Sequence, residues 1–571
     1  MAAQHTYYEQ ANPDLLCRIP VTAGVVLEVG CGAGALGAAY KAINPDAIVV
    51  GLELMAGPAE RARQRLDHVI EVNVENVPRP ALPNDVGPVD CLVYGDVLEH
   101  LRDPAAVLQQ QLEWLAPDGL VLACIPNVQH WSVLANLLAG QWPQQDQGLF
   151  DRTHLRWFTR AGMVELLQCC GLVIHDITPR VFQPERAQAF VQQLAPALPG
   201  MGIDAQQLLA GVSPLQYVVR ASRKPAKPLL LSGLLIKPQA GMNEVRMLQP
   251  LRSVASLPGV VMEASHQGLQ LLPASSSLPR VMIWERQLLT YEESLPRLQQ
   301  VLAAGYVLVG EFDDDPARWP LIAANRNLNF TAMHAMQVST ERLAAHIGLH
   351  NPTTEVFSNA VEGMPEQQPL WPQLGDNRRL RLFFGALNRE NDWGPWMETL
   401  NRALLANPDG WEVEVVHDRA FFDAISTAHK RFTPTCGYGR YRELMGQCHV
   451  AFLPLADNRF NWMKSDLKAV EAASHGLAIL ASPVVYSESL RDGNTGRLFR
   501  SEQELEAILH GWRAEPASAQ ILGEQARQWV RLERLQKLQS AKREQWYRSL
   551  WEQRQVLTEA LFARVPELKG P

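Results

Sequence analysis

The stretch V-V-L-E-V-G-C-G-A-G-A-L-G, Val25 to Gly37, decides how the first part of the chain folds. Val25 to Val29 reads as a buried strand. Gly30, Gly32 and Gly34 follow two apart, and a helical composition resumes at Ala35. A strand, a glycine loop and a helix together bring bare backbone close to a ligand. Around it, "AIVVGLEL", "VDCLVYGD" and "GLVLACIP" are short apolar runs, separated by helix-like segments at 57–66 and 104–115. That order predicts a parallel sheet with helices on its faces. "LQYVVRAS" is a late strand, and "RKPAKP" breaks the pattern as a linker.

The 571 residues are too many for one core. At 47% apolar and 20% charged the composition is that of a soluble globular chain. A net charge of −8 speaks against a nucleic-acid surface. No run is long and apolar enough to span a membrane, and the N-terminus has no secretory pattern. Peripheral membrane contact stays open. The eight cysteines have no paired spacing, so reduced thiols in a cytoplasmic protein are expected. No metal site is expected, and the oligomeric state is left open.

The glycine loop fits two nucleotide readings. A dinucleotide fingerprint wants glycine or alanine at position 35, where Ala35 stands. Glu28 precedes the first glycine by two, and Glu-x-Gly-x-Gly-x-Gly resembles the first motif of class I S-adenosylmethionine-dependent methyltransferases. The resemblance continues. Glu53, at the end of the second strand, stands where that family holds the ribose hydroxyls. Asn73 and Val74 stand in its adenine-contacting segment, although the usual acid is absent at Asn73. Asp96, in "YGDVLEHLRDP", stands where the cofactor's methionine end lies, and Glu99 and His100 face the acceptor side. "CIPNVQHWSVLANLLAGQW" and "GLFDRTHLRWFT" resemble a subgroup associated with polysaccharide biosynthesis. They put Asn127, His130, Asp151, His154 and Arg156 near an acceptor pocket. The resemblance implies S-adenosylmethionine as cofactor. His100 and His154 are the candidate catalytic bases, with Asp151 or Glu99 orienting them. Cys31 reads as a loop filler, and Trp157 and Phe158 as core.

In the second half, "MKSDLKAVEAASHGLAILASPVVYSESLRDGNTGRLF", from Met463, resembles the nucleotide-sugar segment of GT-B glycosyltransferases. Lys464 and Lys468 are expected on one helical face, with Glu471 a turn further, reaching diphosphate and ribose. Many members have a glutamate where Met463 stands. "FFGALNRE" resembles the first strand and loop of the same domain, with Gly385, Asn388 and Arg389 toward the diphosphate. "KPQAGMNEVRMLQPL" resembles the opening of a GT-B acceptor domain. Gly241, Asn243 and Arg246 are expected toward the cleft, and Asn359 near the hinge. "EFDDDP" could hold a metal but reads better as cleft lining or a helix cap.

The expected fold class is α/β. It has a Rossmann-like methyltransferase domain at 1–222 and a linker at 223–228. Two Rossmann-like GT-B domains follow at 229–375 (acceptor) and 376–535 (donor), then a C-terminal helix at 536–571. The function implied is a bifunctional transferase, methylating and glycosylating a glycan or glycoconjugate with a nucleotide-sugar as second donor. The alternatives are a methyltransferase with a non-catalytic sugar-binding module, and an NAD-dependent oxidoreductase.

Overall fold

The computed structural model describes residues 9–237, 241–366, 368–372, 378–387 and 389–569. The chain divides into two compact units, Met1–Pro228 with Ala255–Val260, and Leu229–Val254 with Val261–Pro571.

The first unit is built on a seven-stranded sheet. Its strands are β1 Val25–Val29, β2 Ile48–Glu53, β3 His68–Glu71, β4 Val89–Gly95, β5 Leu115–Pro126, β6 Val173–Arg180 and β7 Gln216–Ser222. Their order is β3-β2-β1-β4-β5-β7-β6. β1 to β5 pair in parallel, and β7 is antiparallel to both β5 and β6. Residues alternate between the faces. Leu27, Val50, Leu92 and Tyr94 join one core, while Val26, Val49, Cys91 and Val93 join the other. Helices cover both faces, which is why these strands read as unbroken apolar runs.

The second unit holds two six-stranded sheets. One contains β8 Leu229–Leu234, β9 Val260–Ser265, β10 Arg280–Glu285, β11 Val307–Phe312, β12 Ala335–Val338 and β13 Thr354–Val356. Its order is β13-β12-β11-β10-β8-β9. The other contains β14 Leu380–Gly385, β15 Trp411–Val416, β16 Lys430–Thr433, β17 Val450–Leu453, β18 Ala478–Ala481 and β19 Arg497–Leu498. Its order is β16-β15-β14-β17-β18-β19, and all its pairs are parallel.

The stretch 536–571 does not form the single helix expected. It gives Lys537–Glu552 and Arg554–Arg564, broken at Gln553, and then a 3₁₀ turn, Pro566–Lys569. Leu561, Val565 and Leu568 enter the core beneath the β8–β13 sheet, beside Leu298, Phe330 and Ile347. Among the described residues no helix is long and apolar enough to cross a membrane.

Each sheet has a point where chain order reverses: between β1 and β4, between β8 and β10, and between β14 and β17. In open α/β sheets, ligands bind beyond the strand C-termini at such points. Backbone strain marks the same rims. Asp96 follows β4 at φ 54°, Arg286 follows β10 at φ 33°, and His417 follows β15 at φ 77°. Non-glycine residues are held there only when their surroundings dictate it.

Candidate functional site

At the first switch point, Gly30, Gly32 and Gly34 have φ of 70°, 55° and 77°. Any other residue would be strained at all three positions. A Cβ on Gly30 would also lie 2.6 Å from Val97 Cγ2. Gly34 opens the helix Ala35–Ile43 without a side-chain cap. Glu53 ties the loop down. Its Oε2 accepts from the Gly32 amide at 2.8 Å and its Oε1 from the Met55 amide at 2.9 Å. Glu28 lies beneath the loop, takes the Gly37 amide and leaves Oε2 without a hydrogen bond. Burial pushes its carboxyl up to about 8. Asn73 Oδ1 accepts from the Glu75 amide at 2.9 Å, and Val74 is partly buried against the core. Asp96 accepts from Gln216 Nε2, reaching over from β7. Burial raises its carboxyl to about 6, against the pull of nearby Arg180.

Glu99 and His100 form the turn Leu98–His100 just beyond. The Glu99 carbonyl accepts from the Leu155 and Arg156 amides at 2.8 and 2.9 Å, which stitches the second histidine segment to the first. The His100 and His154 rings then meet edge-on, with centroids 4.8 Å apart. Glu99 is 1% exposed. Burial drives its carboxyl well above the usual range and Asp96 adds to this, while burial lowers both histidines.

The expected Asp151–histidine contact takes a different form. Asp151 Oδ1 accepts from the Thr153 amide at 2.8 Å and from the Thr153 hydroxyl at 2.6 Å. The Thr153 oxygen stands 3.0 Å from His100 Nδ1. Asp151 therefore orients His100 through Thr153, and its carboxylate does not hold His154. Nothing in the sequence marked Thr153 or Gln216, because both act by tertiary contact. Asn127 is fully buried and braces the Gly211 and Pro214 carbonyls. His130 caps the helix Trp131–Leu138 through Ser132. Both serve the scaffold. Trp157, expected in the core, is 49% exposed and meets Trp142 edge-on at 5.7 Å. Phe158 does pack against the core.

At the third switch point, Gly385 ends β14, where a Cβ would lie 2.6 Å from Tyr441 Cε2. Arg389 Nη1 donates to Asp392 Oδ2 at 3.1 Å and to Asn461 Oδ1 at 3.3 Å. Asn388 lies outside the described residues. The lysine pair does not share a helical face as expected. The helix begins at Leu467, after the bend around Asp466, so only Lys468 and Glu471 are on it. Lys468 Nζ donates to Tyr441 Oη at 2.8 Å and stands 3.7 Å from Glu471 Oε2. Lys464 pairs with Asp314 at 3.5 Å and sits over the Phe460 ring. Burial lowers its ammonium, as does Arg389. Glu471 is 1% exposed.

At the second switch point, Gly241 has φ +99°, and a Cβ would lie 2.5 Å from Tyr438 Cδ2. Arg246 does not face open space. It is 3% exposed, and its Nε donates to Glu311 Oε1 at 2.7 Å. It also holds the Phe357 carbonyl and Asn359 Oδ1. Asn359 Nδ2 donates to Ser465 Oγ at 2.6 Å. The Asp313–Asp315 run is spent locally: Asp313 pairs with Arg286, Asp314 with Arg318 and Lys464, and Asp315 caps Ala317.

Comparison with known proteins agrees with the first unit. Residues 4–177 match the family model of a methyltransferase domain. An uncharacterized 37.1 kDa protein in transposon TN4556 of Streptomyces fradiae is 34% identical over 102 residues, 18% of this chain and 30% of that protein. A ubiquinone biosynthesis O-methyltransferase of Shewanella pealeana is 25% identical over 180 residues, 30% of this chain and 75% of that enzyme. Among solved structures, the Anabaena protein Alr3699/HepE, in complex with UDP and glucose, aligns at 14% identity. That alignment has a TM-score of 0.39 and covers 57% of this chain and 100% of that one. Residues 4–177 thus resemble a methyltransferase domain, and they are followed by a second unit made of two Rossmann-like sheets.

Proposed function

We propose that the chain is a bifunctional transferase acting on a glycan or glycoconjugate. The first unit methylates a hydroxyl using S-adenosylmethionine, and the second adds a sugar from a nucleotide-sugar. The loop of three left-handed glycines, held by Glu53 at the first switch point, is the observation that carries the methyl half. The donor set suits the cofactor. Gly30, Gly32, Gly34 and Glu53 would hold the nucleoside, with Glu28 bracing the loop from below. Asn73 and Val74 would flank the base, and Asp96 would face the methionine end. Once bound, the cofactor supplies an activated methyl group. The chain's own task is to align the acceptor oxygen and handle its proton, and Glu99, His100 and His154 are the groups beside that end. The O-methyltransferase relative supports oxygen as the acceptor atom.

For the second unit, Gly241, Gly385, Arg389, Lys464, Lys468 and Glu471 are the described residues of the proposed nucleotide-sugar site. Glu471 supports it, being buried on the helix Leu467–Ser474 that follows β17, with Lys468 Nζ 3.7 Å from its Oε2. A second reading makes this unit a non-catalytic sugar-binding module. It is favoured by Met463 standing where an acid is usual, and by Lys464 being engaged with Asp314.

A thermal-shift titration tests both halves. S-adenosylhomocysteine is expected to raise one unfolding transition, by about 2.7 kcal/mol at a hundredfold excess over Kd. UDP, GDP or TDP is expected to raise another, and NADH neither. Glu53→Ala is expected to weaken S-adenosylhomocysteine about tenfold or more. No response to S-adenosylhomocysteine would overturn the methyl half. Nucleotide binding without sugar transfer or hydrolysis would favour the module.

A further inference from the structure

Glu99 poses a problem that methyl transfer does not solve. Among the described residues, nothing but its own backbone amide hydrogen-bonds its carboxyl, and both oxygens are buried. A carboxyl buried without a partner is destabilising, least so while it keeps its proton. What faces it is a pair of imidazoles. One donor atom each from Glu99, His100 and His154 lie within 4.8 Å of one another, and among the described residues no other trio of such side chains meets in this way.

We propose that Glu99, His100 and His154 hold a divalent first-row metal ion beside the methyl-transfer site. Its role rests on the methyl-transfer reading, but its existence does not. Two imidazoles and one carboxylate, with positions left open, suit Mn²⁺, Fe²⁺, Co²⁺ or Zn²⁺ better than Mg²⁺ or Ca²⁺.

The surroundings prepare the ligands. The Thr153 hydroxyl gives its proton to Asp151, so its oxygen must accept from His100 Nδ1. That puts the His100 proton on Nδ1 and leaves the Nε2 lone pair for a metal. The Leu149 carbonyl takes a hydrogen bond from the His154 ring, which anchors that histidine. The amides of Leu155 and Arg156, bonded to the Glu99 carbonyl, hold the loop bearing His154 against the turn bearing the other two ligands. Donors bound at ~2.1 Å cannot stand more than ~4.2 Å apart, so binding draws this trio together by roughly half an ångström.

The ion would act on the acceptor hydroxyl as a Lewis acid. The O–H proton leaves to water and the oxygen bonds to the methyl carbon. The methyl–sulfur bond breaks, with its electron pair staying on sulfur. No oxidant or reductant is needed.

The test uses the full chain, stripped with a chelator and titrated with MnCl₂ and with CoCl₂. The expected result is one ion per chain, with Co²⁺ absorption bands typical of nitrogen and oxygen ligation. Glu99→Gln is expected to weaken Mn²⁺ by at least about a hundredfold. Asp151→Asn, which weakens the Thr153 bridge to His100 and removes a nearby negative charge, is expected to weaken it about tenfold. Both variants should bind S-adenosylhomocysteine within about threefold of the parent, which also shows that they fold. No stoichiometric uptake of either ion overturns the proposal, as does uptake that Glu99→Gln leaves unchanged. Loss of S-adenosylhomocysteine binding in the parent chain would instead sink the methyl-transfer reading, leaving the metal titration to decide the site.

Discussion

Glu99 in the first unit and Glu311 in the second are buried to the same degree, 1% and 2% exposed. Glu311 has its cation built in, with Arg246 bonded to it at 2.7 Å. Glu99 has none, and Asp96 repels it further. In both, burial raises the carboxyl, but at Glu311 the arginine pulls it back. A carboxylate answered by a fixed arginine is part of the scaffold. One left unanswered beside two histidines is poised for something the chain does not itself contain. The same contrast separates Arg246, spent inside the protein, from Glu53, whose loop amides lie at a switch point.

The sharpest way to break the comparison is to remove one partner on each side. Arg246→Leu takes away the arginine bonded to Glu311 and leaves only the more distant Arg543 acting on it, and should destabilise the second unit by about 3–5 kcal/mol in urea unfolding followed by tryptophan fluorescence. Glu99→Gln in chelator-treated protein replaces a buried carboxyl that had no partner with a neutral amide. It should leave stability unchanged or raise it by up to about 1 kcal/mol. Equal losses in the two variants would show that Glu99 is partnered as well as Glu311 is.

Next in size is a pH effect at Glu285, which ends β10. Its Oε2 accepts from the Ile236 amide and from Asn243, while Oε1 has no hydrogen bond. Burial raises its carboxyl from 4.5 to about 7, Glu311 and Asp313 add to this, and Arg286 opposes it. The folded state therefore keeps this proton more tightly than the unfolded chain. The stabilisation is complete below about pH 4.5 and is lost as pH rises through about 7. Up to about 3 kcal/mol should disappear between pH 5 and 8. Glu285→Gln should flatten that slope, and a slope that survives the substitution would assign it elsewhere.

The smallest expected effect is at Trp157, half exposed against Trp142. Trp157→Ala should change stability by less than about 0.5 kcal/mol. A larger loss would return it to the core, where the sequence reading had put it.

How much could be read in advance follows from how local each signal is. The glycine loop was legible because positive φ at three alternate positions strongly favours glycine, and that preference is written in the chain. Glu53 followed from its place at the end of β2. Lys464 was misread because the Met463–Ser474 composition is helical throughout, whereas the helix starts only at Leu467. The break at Gln553 escaped notice for the same reason, since no glycine or proline marks it. Trp157 and Phe158 are adjacent aromatics, and only the fold decides which one turns inward. Thr153 and Gln216 were invisible, because a hydroxyl between Asp151 and His100, or an amide reaching Asp96 from β7, exists only after folding.

The β8–β13 domain takes part of its interior from Leu561, Val565 and Leu568, far downstream of its own strands. During synthesis this domain must wait, half finished, while the whole β14–β19 sheet emerges from the ribosome. Until Leu568 arrives, Leu298, Phe330 and Ile347 lack their final covering, so nascent chains of intermediate length offer an apolar surface for chaperones or for aggregation.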